Sequence, residues 1–147
     1  MNFVYGQNAR VADFVASLIE GCERGFTSCT TIGVANDNQE LIAGVVYHNW
    51  SPEAGVIEMS CAASTARWLN KSVMQTIFAY PFEEIGCQMV VMRVSDRNER
   101  MKRIFRALDF EEYLIPRLRG REEDEIIFTL TQETWLSNQT FKRCRNG

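Results

Sequence analysis

Apolar positions along the chain switch between two rhythms, and the switches mark out the elements. Residues 2–6 form a short apolar-rich strand, and Val11, Phe14, Val15, Leu18 and Ile19 then recur at spacings of three and four. That spacing predicts an amphipathic helix over residues 9–20, with Asn8 as its N-cap and Gly21 at its end. Residues 30–35 and 41–50 are β-rich runs on either side of Asn36-Asp37-Asn38, the pattern of a hairpin. A further strand is predicted over 56–63, with Ile57, Met59 and Cys61 on one face and Glu58 and Ser60 on the other. Leu69, Val73, Met74, Ile77, Phe78, Phe82 and Ile85 make one apolar face of a helix over 70–85, in which Pro81 should kink the last turn and Gly86 ends it.

Residues 89–94 are continuously apolar, as in a strand covered on both faces. A helix over 98–108 turns Met101, Ile104, Phe105 and Leu108 inward. Two last strands are expected over 110–115 and 125–130, then a polar tail over 132–147 with Trp135 as its one large anchor. The strand–helix–strand unit from 56 to 94 is a crossover, so its strands should be parallel. Hairpins flank it. The expected fold class is therefore α/β (α+β), a mixed and mostly antiparallel sheet with a central parallel strand pair and helices on both faces.

Composition narrows the picture. A 147-residue chain that is 46% hydrophobic is long enough for one domain with its own core. No apolar run is long enough to span a membrane, and the N-terminus has no basic-then-apolar signal pattern, so a cytoplasmic location is expected. The five cysteines are irregularly spaced without a Cys-x-x-Cys pair, which argues against a disulfide framework and against a structural metal site. A net charge of −3 argues against nucleic acid as a partner. Arginines nevertheless crowd the segment 93–121, readable as a solvated face offset by interleaved acids or as an anion site.

Chemistry is expected at the two strand–helix junctions. A helix N-terminus after a strand offers backbone N–H groups and the positive end of a dipole. At the first junction Arg67 and Lys71 add charge, and Ser64, Thr65 and Ser72 add hydroxyls, together a plausible phosphate cradle. At the second, Asn98 either caps its helix or faces a ligand at the splayed ends of the parallel strands.

The run 94–110 resembles a segment of the GNAT-superfamily N-acetyltransferases. In that segment an asparagine is followed by a small residue three positions on, a tyrosine seven on, and Gly-Phe eleven and twelve on. Asn98, Met101, Phe105, Asp109 and Phe110 occupy those places. The aromatic helix end over 80–87 and the closing segment 120–135, with Glu133-Thr134-Trp135, look most like the branch containing the ribosomal-protein acetyltransferases. The resemblance covers residues 2–135, which it implies are a single acyltransferase domain, with 136–147 as a polar tail.

The resemblance implies acetyl-CoA, as co-substrate, in a V-shaped gap between the splayed parallel strands. The pantetheine arm would pair with backbone near Cys61, Ala62 and Ala63. The pyrophosphate would lie on Arg67, Trp68, Leu69, Asn70, Lys71 and Ser72. Asn98 would hold the arm, with Phe105 beside it. The implied reaction is attack by a primary amine of a protein or small molecule on the thioester, with Glu58 as general base and His48, the sole histidine, as the other candidate. The acceptor groove would lie between the segment 21–29 and the hairpin 114–124, and a homodimer would be ordinary. Two departures support an alternative, a GNAT-fold protein that binds CoA or a partner without efficient catalysis. The segment 67–70 has no glycine where the family's phosphate loop has several, and Phe105 stands where the family often has a tyrosine that protonates the leaving thiolate; Tyr113 is the candidate replacement.

Overall fold

The computed structural model describes residues 1–19, 21–22 and 25–146. The strands are β1 (Asn2–Tyr5), β2 (Thr30–Ala35), β3 (Leu41–Ser51), β4 (Val56–Ala63), β5 (Met89–Ser95), β6 (Glu111–Ile115) and β7 (Glu125–Thr131). They form one sheet in the order β1-β2-β3-β4-β5-β7-β6. Every neighbouring pair is antiparallel except β4 and β5. The helices are α1 (Asn8–Leu18), α2 (Lys71–Ala79), α3 (Glu99–Ala107), α4 (Gln132–Ser137) and α5 (Gln139–Asn146). This is the expected mixed sheet with one central parallel pair. The end of the first predicted helix, at Glu20, lies outside the described residues.

The two faces of the sheet carry separate cores. Helix α1 lays Val11, Ala12 and Val15 on one face, against Val4, Ala35 and Val46. It sits close because the paired residues Gly33 and Gly44 present no side chain there: a Cβ on Gly44 would come within 2.8 Å of Val11 and Val15. On the opposite face α2 and α3 bury Val73, Ile77, Phe78 and Phe105 against Tyr47, Met59, Val90, Met92 and Phe128.

Asn8 does not cap α1. Gln7 holds the cap position, and the Asn8 carboxamide oxygen instead accepts from the backbone N–H and hydroxyl of Thr31, both at 3.0 Å. That ties the start of α1 to the start of β2.

The long middle helix divides as Pro81 requires. Asn70 is its N-cap, accepting from the Val73 N–H at 2.8 Å. The α-helical part ends at Ala79, and Tyr80–Ile85 form a π-helical turn closed by Gly86 in the left-handed conformation. Pro81 has no N–H to give to the carbonyl of Ile77, one helical turn earlier. The buried Tyr47 hydroxyl donates to that carbonyl instead, at 2.5 Å. A proline-induced vacancy in α2 is thereby filled from β3, and the two layers are locked together.

The C-terminal segment corrects the expectation of a polar tail. Residues 132–146 form α4 and α5, and beside Trp135 there is a second anchor, Phe141, which is 1% exposed and meets Phe78 edge-to-face at 5.1 Å. Trp135 stacks on Phe82 at 4.9 Å, and Arg145 lies 4.7 Å above its ring. Asn138 accepts from the Phe141 N–H and donates to Asp109 at 2.9 Å. Asp109, at the glycine place of the resembling motif, has a φ of 64°, the left-handed region that a glycine would adopt freely.

Tyr47→Phe should destabilise the fold by about 1–3 kcal/mol, because it leaves the buried Ile77 carbonyl without its donor. Chemical denaturation checks this, and an unchanged midpoint would show that the hydroxyl contributes nothing.

Candidate active site

The parallel pairing of β4 and β5 is three residues long. Val56 pairs with Met89, Ile57 with Val90 and Glu58 with Val91. Beyond Glu58, β4 remains paired to β3 as far as Ala63, and β5 remains paired to β7 as far as Ser95. The facing edges of 59–63 and 92–95 are therefore not paired with each other, which leaves a gap in the ladder toward the C-terminal ends of both strands. An edge of β4 that keeps one neighbour and lacks the other has backbone groups to offer a ligand lying in the gap. Cys61, Ala62 and Ala63 are on that edge. The Cys61 thiol is pushed up to about 12 by burial, so it stays protonated and only backbone is available there.

Glu58 stands at the apex, on the last paired position. Its carboxylate is held from β3: Asn49 Nδ2 donates to Oε1 at 3.0 Å, and His48 Nε2 lies 3.6 Å from Oε2. His48 Nε2 is also 2.9 Å from Ser60 Oγ, on the same face of β4. Strand alternation would turn His48 and Asn49 to opposite faces. A bulge allows both to reach Glu58: His48 pairs with Glu58 and Ser51 with Val56, so β3 carries one extra residue, and Asn49 has a φ of 53°. Sequence reasoning misses Asn49. Its one signal is an asparagine, the residue type that best tolerates a left-handed turn, inside a β-rich run.

Burial lowers the pKa of His48 below its ordinary 6.5; Glu58 opposes the shift and Arg93 adds to it. The imidazole is therefore neutral near pH 7 and able to accept or relay a proton.

The loop from β4 to α2 sorts the predicted phosphate residues into two groups. Arg67, Lys71 and Ser72 are exposed, beside the capped N-terminus of α2. Asn70 spends its carboxamide oxygen on the cap, and its carbonyl accepts from Met74 at 2.8 Å. The backbone N–H groups of Lys71 and Ser72, in the first turn, remain directed at what approaches the helix end. The Trp68 side chain is 3% exposed and belongs to the core, with Leu69 partly buried in the same cluster, so the indole anchors the loop and leaves its backbone to face a ligand. The Arg100 guanidinium on α3 donates to the Ala66 carbonyl and holds the loop across the mouth of the gap.

Asn98 caps α3, accepting from the Met101 N–H at 3.1 Å, and remains exposed at the end of β5. Phe105 takes the inward position expected of it on its helix: it is 2% exposed, with ring centroids 4.7 Å from Phe110 and 5.1 Å from Phe128. Tyr113 cannot replace the missing phenol. It lies on β6, separated from β5 by β7, and its hydroxyl donates to Glu111 at 2.7 Å. The arginine-rich segment is largely neutralised in place. Arg93 and Arg119 clasp the buried Glu125, Arg97 pairs with Glu123, Lys102 with Asp96 and Glu99, and Arg106 with Glu112.

The two halves of the expected acceptor groove are at opposite ends of the sheet. The hairpin over 116–124 is tied to the end of β5, where Ser95 donates to Glu123 at 2.5 Å. The segment 25–30 instead walls a cavity of about 810 Å³ at the other end, beside His48, Asn49 and Ile57. Glu23 and Arg24 of this segment lie outside the described residues.

Solved structures with this arrangement are acetyltransferases. The chain superposes on mutant forms of the spermidine/spermine N-acetyltransferase of Vibrio cholerae with a TM-score of 0.72, at 12% identity, covering 92% of this chain and 96% of that one. The fold is that of the GNAT acetyltransferases. Another neighbour, a provisionally assigned acetyltransferase, matches with a TM-score of 0.73 at 16% identity over 98% of this chain and 91% of its own. A further one, from T. thermophilus, matches with a TM-score of 0.65 at 18% identity, over 82% and 67%. At such identities the likeness is one of fold, and it does not single out the ribosomal-protein branch. No family model matches the chain, and no curated protein matches it by sequence. Among the described residues no helix is long and apolar enough to cross a membrane, and no cluster of metal-ligating side chains is present.

The lowered pKa of His48 fixes the sign of a pH effect. The unfolded chain binds the histidine proton more tightly than the folded one, so stability falls as pH drops from 6.5 to the folded value and is flat above it. Thermal unfolding between pH 7.5 and 5.5 should show this decline, and His48→Gln should flatten it. Equal slopes in both proteins would remove His48 as the source.

Proposed function

We propose that this protein is an acetyl-CoA-dependent N-acetyltransferase acting on a primary amine. The observation that carries the reading is Glu58, held by His48 and Asn49 at the point where β4 and β5 part. The residues fit the co-substrate. An extended arm can pair with the free edge at Cys61, Ala62 and Ala63, and its phosphates can meet Arg67, Lys71 and the N–H groups of Lys71 and Ser72, with Asn98 on the opposite wall. Acetyl-CoA supplies an activated thioester carbonyl. Nitrogen attacks that carbon as the carbon–sulfur bond breaks, CoA leaves as its thiolate, and the thiolate takes up the proton that the new amide nitrogen releases; the attack requires a neutral amine. Glu58 takes the proton that the ammonium must lose, and neutral His48 and Ser60 provide a path away from it. No charged group of the protein needs to form a covalent bond. The five free cysteines and the absence of a long apolar helix among the described residues fit a cytoplasmic location.

A second reading has one observation in its favour. Phe105 is sealed in the core and Tyr113 is two strands from the gap, so neither predicted position brings a phenol to the leaving sulfur. A CoA-binding protein without efficient transfer would share the cleft.

Acetyl-CoA at a hundred times its dissociation constant should stabilise the protein by about 2.7 kcal/mol, seen as a raised melting temperature. Glu58→Gln should keep that shift and lower kcat/KM for acetyl transfer roughly a hundredfold. No shift with either acetyl-CoA or CoA overturns the cleft assignment. A shift without transfer to any amine selects the second reading, and an unchanged rate in the variant removes Glu58 from its role.

A further inference from the structure

The cavity beside His48 occupies the place of a missing strand. Strand β2 begins at Thr30, opposite Tyr47, whereas β3 continues to Ser51. Along residues 48–51, β3 therefore has β4 on one side and no β2 on the other. The space left is about 810 Å³, within the range of small-molecule sites. It is bordered by the segment 25–30 and by the π-helical turn that Pro81 imposes, which contributes Tyr80 and Ile85, and it is open to solvent.

Its apolar surface comes from Phe26, Trp50, Tyr80, Ile57 and Ile85, beside about as much polar surface. Trp50 is 42% exposed, whereas Trp68 and Trp135 are 3% and 2% exposed. Tyr47 also faces the cavity, but its hydroxyl is committed to Ile77, so it offers ring surface and no donor. Thr27, Ser28 and Thr30 add hydroxyls, and none of the described lining residues is a carboxylate. Beyond the ammonium that meets Glu58, a chain of ammonium groups would gain no counter-charge from the described lining residues, while a planar apolar ring would gain contact on several sides.

The cavity communicates with the apex through two side chains. His48 and Asn49 both line it, and both contact the Glu58 carboxylate. The His48 ring is shared: its Nε2 faces Glu58 and Ser60, and its edge meets Phe26 at 5.0 Å. A molecule seated against Phe26 and Trp50 must reach past one imidazole before its amine meets Glu58.

We propose that this cavity receives the body of the acceptor, and that the acceptor is an aromatic ring carrying a primary amine on an arm of two or more carbons. This rests on the reading of Glu58 as the amine's base, and it sets this chain apart from the neighbours named for spermidine.

The test is a titration of the full chain with 2-phenylethylamine, benzylamine and spermidine, followed by tryptophan fluorescence and then by acetyl transfer. The expected result is a saturable fluorescence change with 2-phenylethylamine that is lost in Trp50→Phe, the two buried tryptophans being unaffected. Phe26→Ala should weaken that binding about tenfold. Transfer to 2-phenylethylamine should exceed transfer to spermidine and to benzylamine at least tenfold in kcat/KM. Saturable binding at Trp50 without transfer to any amine would support the ligand class while overturning the acetyltransferase reading. No binding of 2-phenylethylamine, or spermidine equal to it in binding or transfer, would overturn the inference itself, whether or not acetyl transfer occurs.

Discussion

Three residue pairs join two halves of this molecule. On one side β1 to β4 form an antiparallel half-sheet, and on the other β5, β7 and β6 form a second. Among the described residues the strand ladder between them is limited to the pairs from Val56–Met89 to Glu58–Val91, and the Gly55 carbonyl just before it accepts from the N–H groups of Gln88 and Met89. Each strand of the parallel pair is held along its length by its antiparallel neighbour, so the right-handed twist of each half carries the two apart beyond Glu58. The helices then close what the ladder does not. Helix α2 joins the end of β4 to the start of β5, and Arg100 on α3 ties down the loop that enters α2. The gap, the free edge of β4 and the place of Glu58 all follow from how short that pairing is.

The chemistry at the apex depends on a local exception to strand geometry. Without the bulge at Asn49, only one of His48 and Asn49 would share a face with Glu58. With it, the carboxylate has a neutral amide donor and a desolvated imidazole beside it, and no cation bonded directly to it in this cluster. Arg93, the nearest strong positive charge to act on His48, is turned to the buried Glu125. Glu58 is thus oriented without being neutralised, which suits a group that must accept and release a proton.

The regular elements were legible because their signals are local. Apolar periodicity placed the strands and helices, Asn98 offered a cap for its helix, and Gly86 marked a helix end. What escaped was set by tertiary contacts. Helix α5 has a single buried phenylalanine in an otherwise polar sequence, and one apolar residue shows no period; Phe141 becomes an anchor only because Phe78 lies opposite. Trp68 stands in a loop that shows no apolar period, and its size and apolarity draw its side chain into the core. The bulge of β3 and the early start of β2, which together make the cavity, are matters of register between strands, and no single strand's sequence states them.

A crystal structure of the protein with acetyl-CoA tests the account at its centre. Density is expected along the free edge of β4 at 59–63, with phosphates beside Arg67, Lys71 and Ser72 and the thioester at the apex within reach of Glu58. A β4–β5 ladder that continues to Ser95 and closes the gap, or a ligand bound elsewhere with the gap empty, would contradict it.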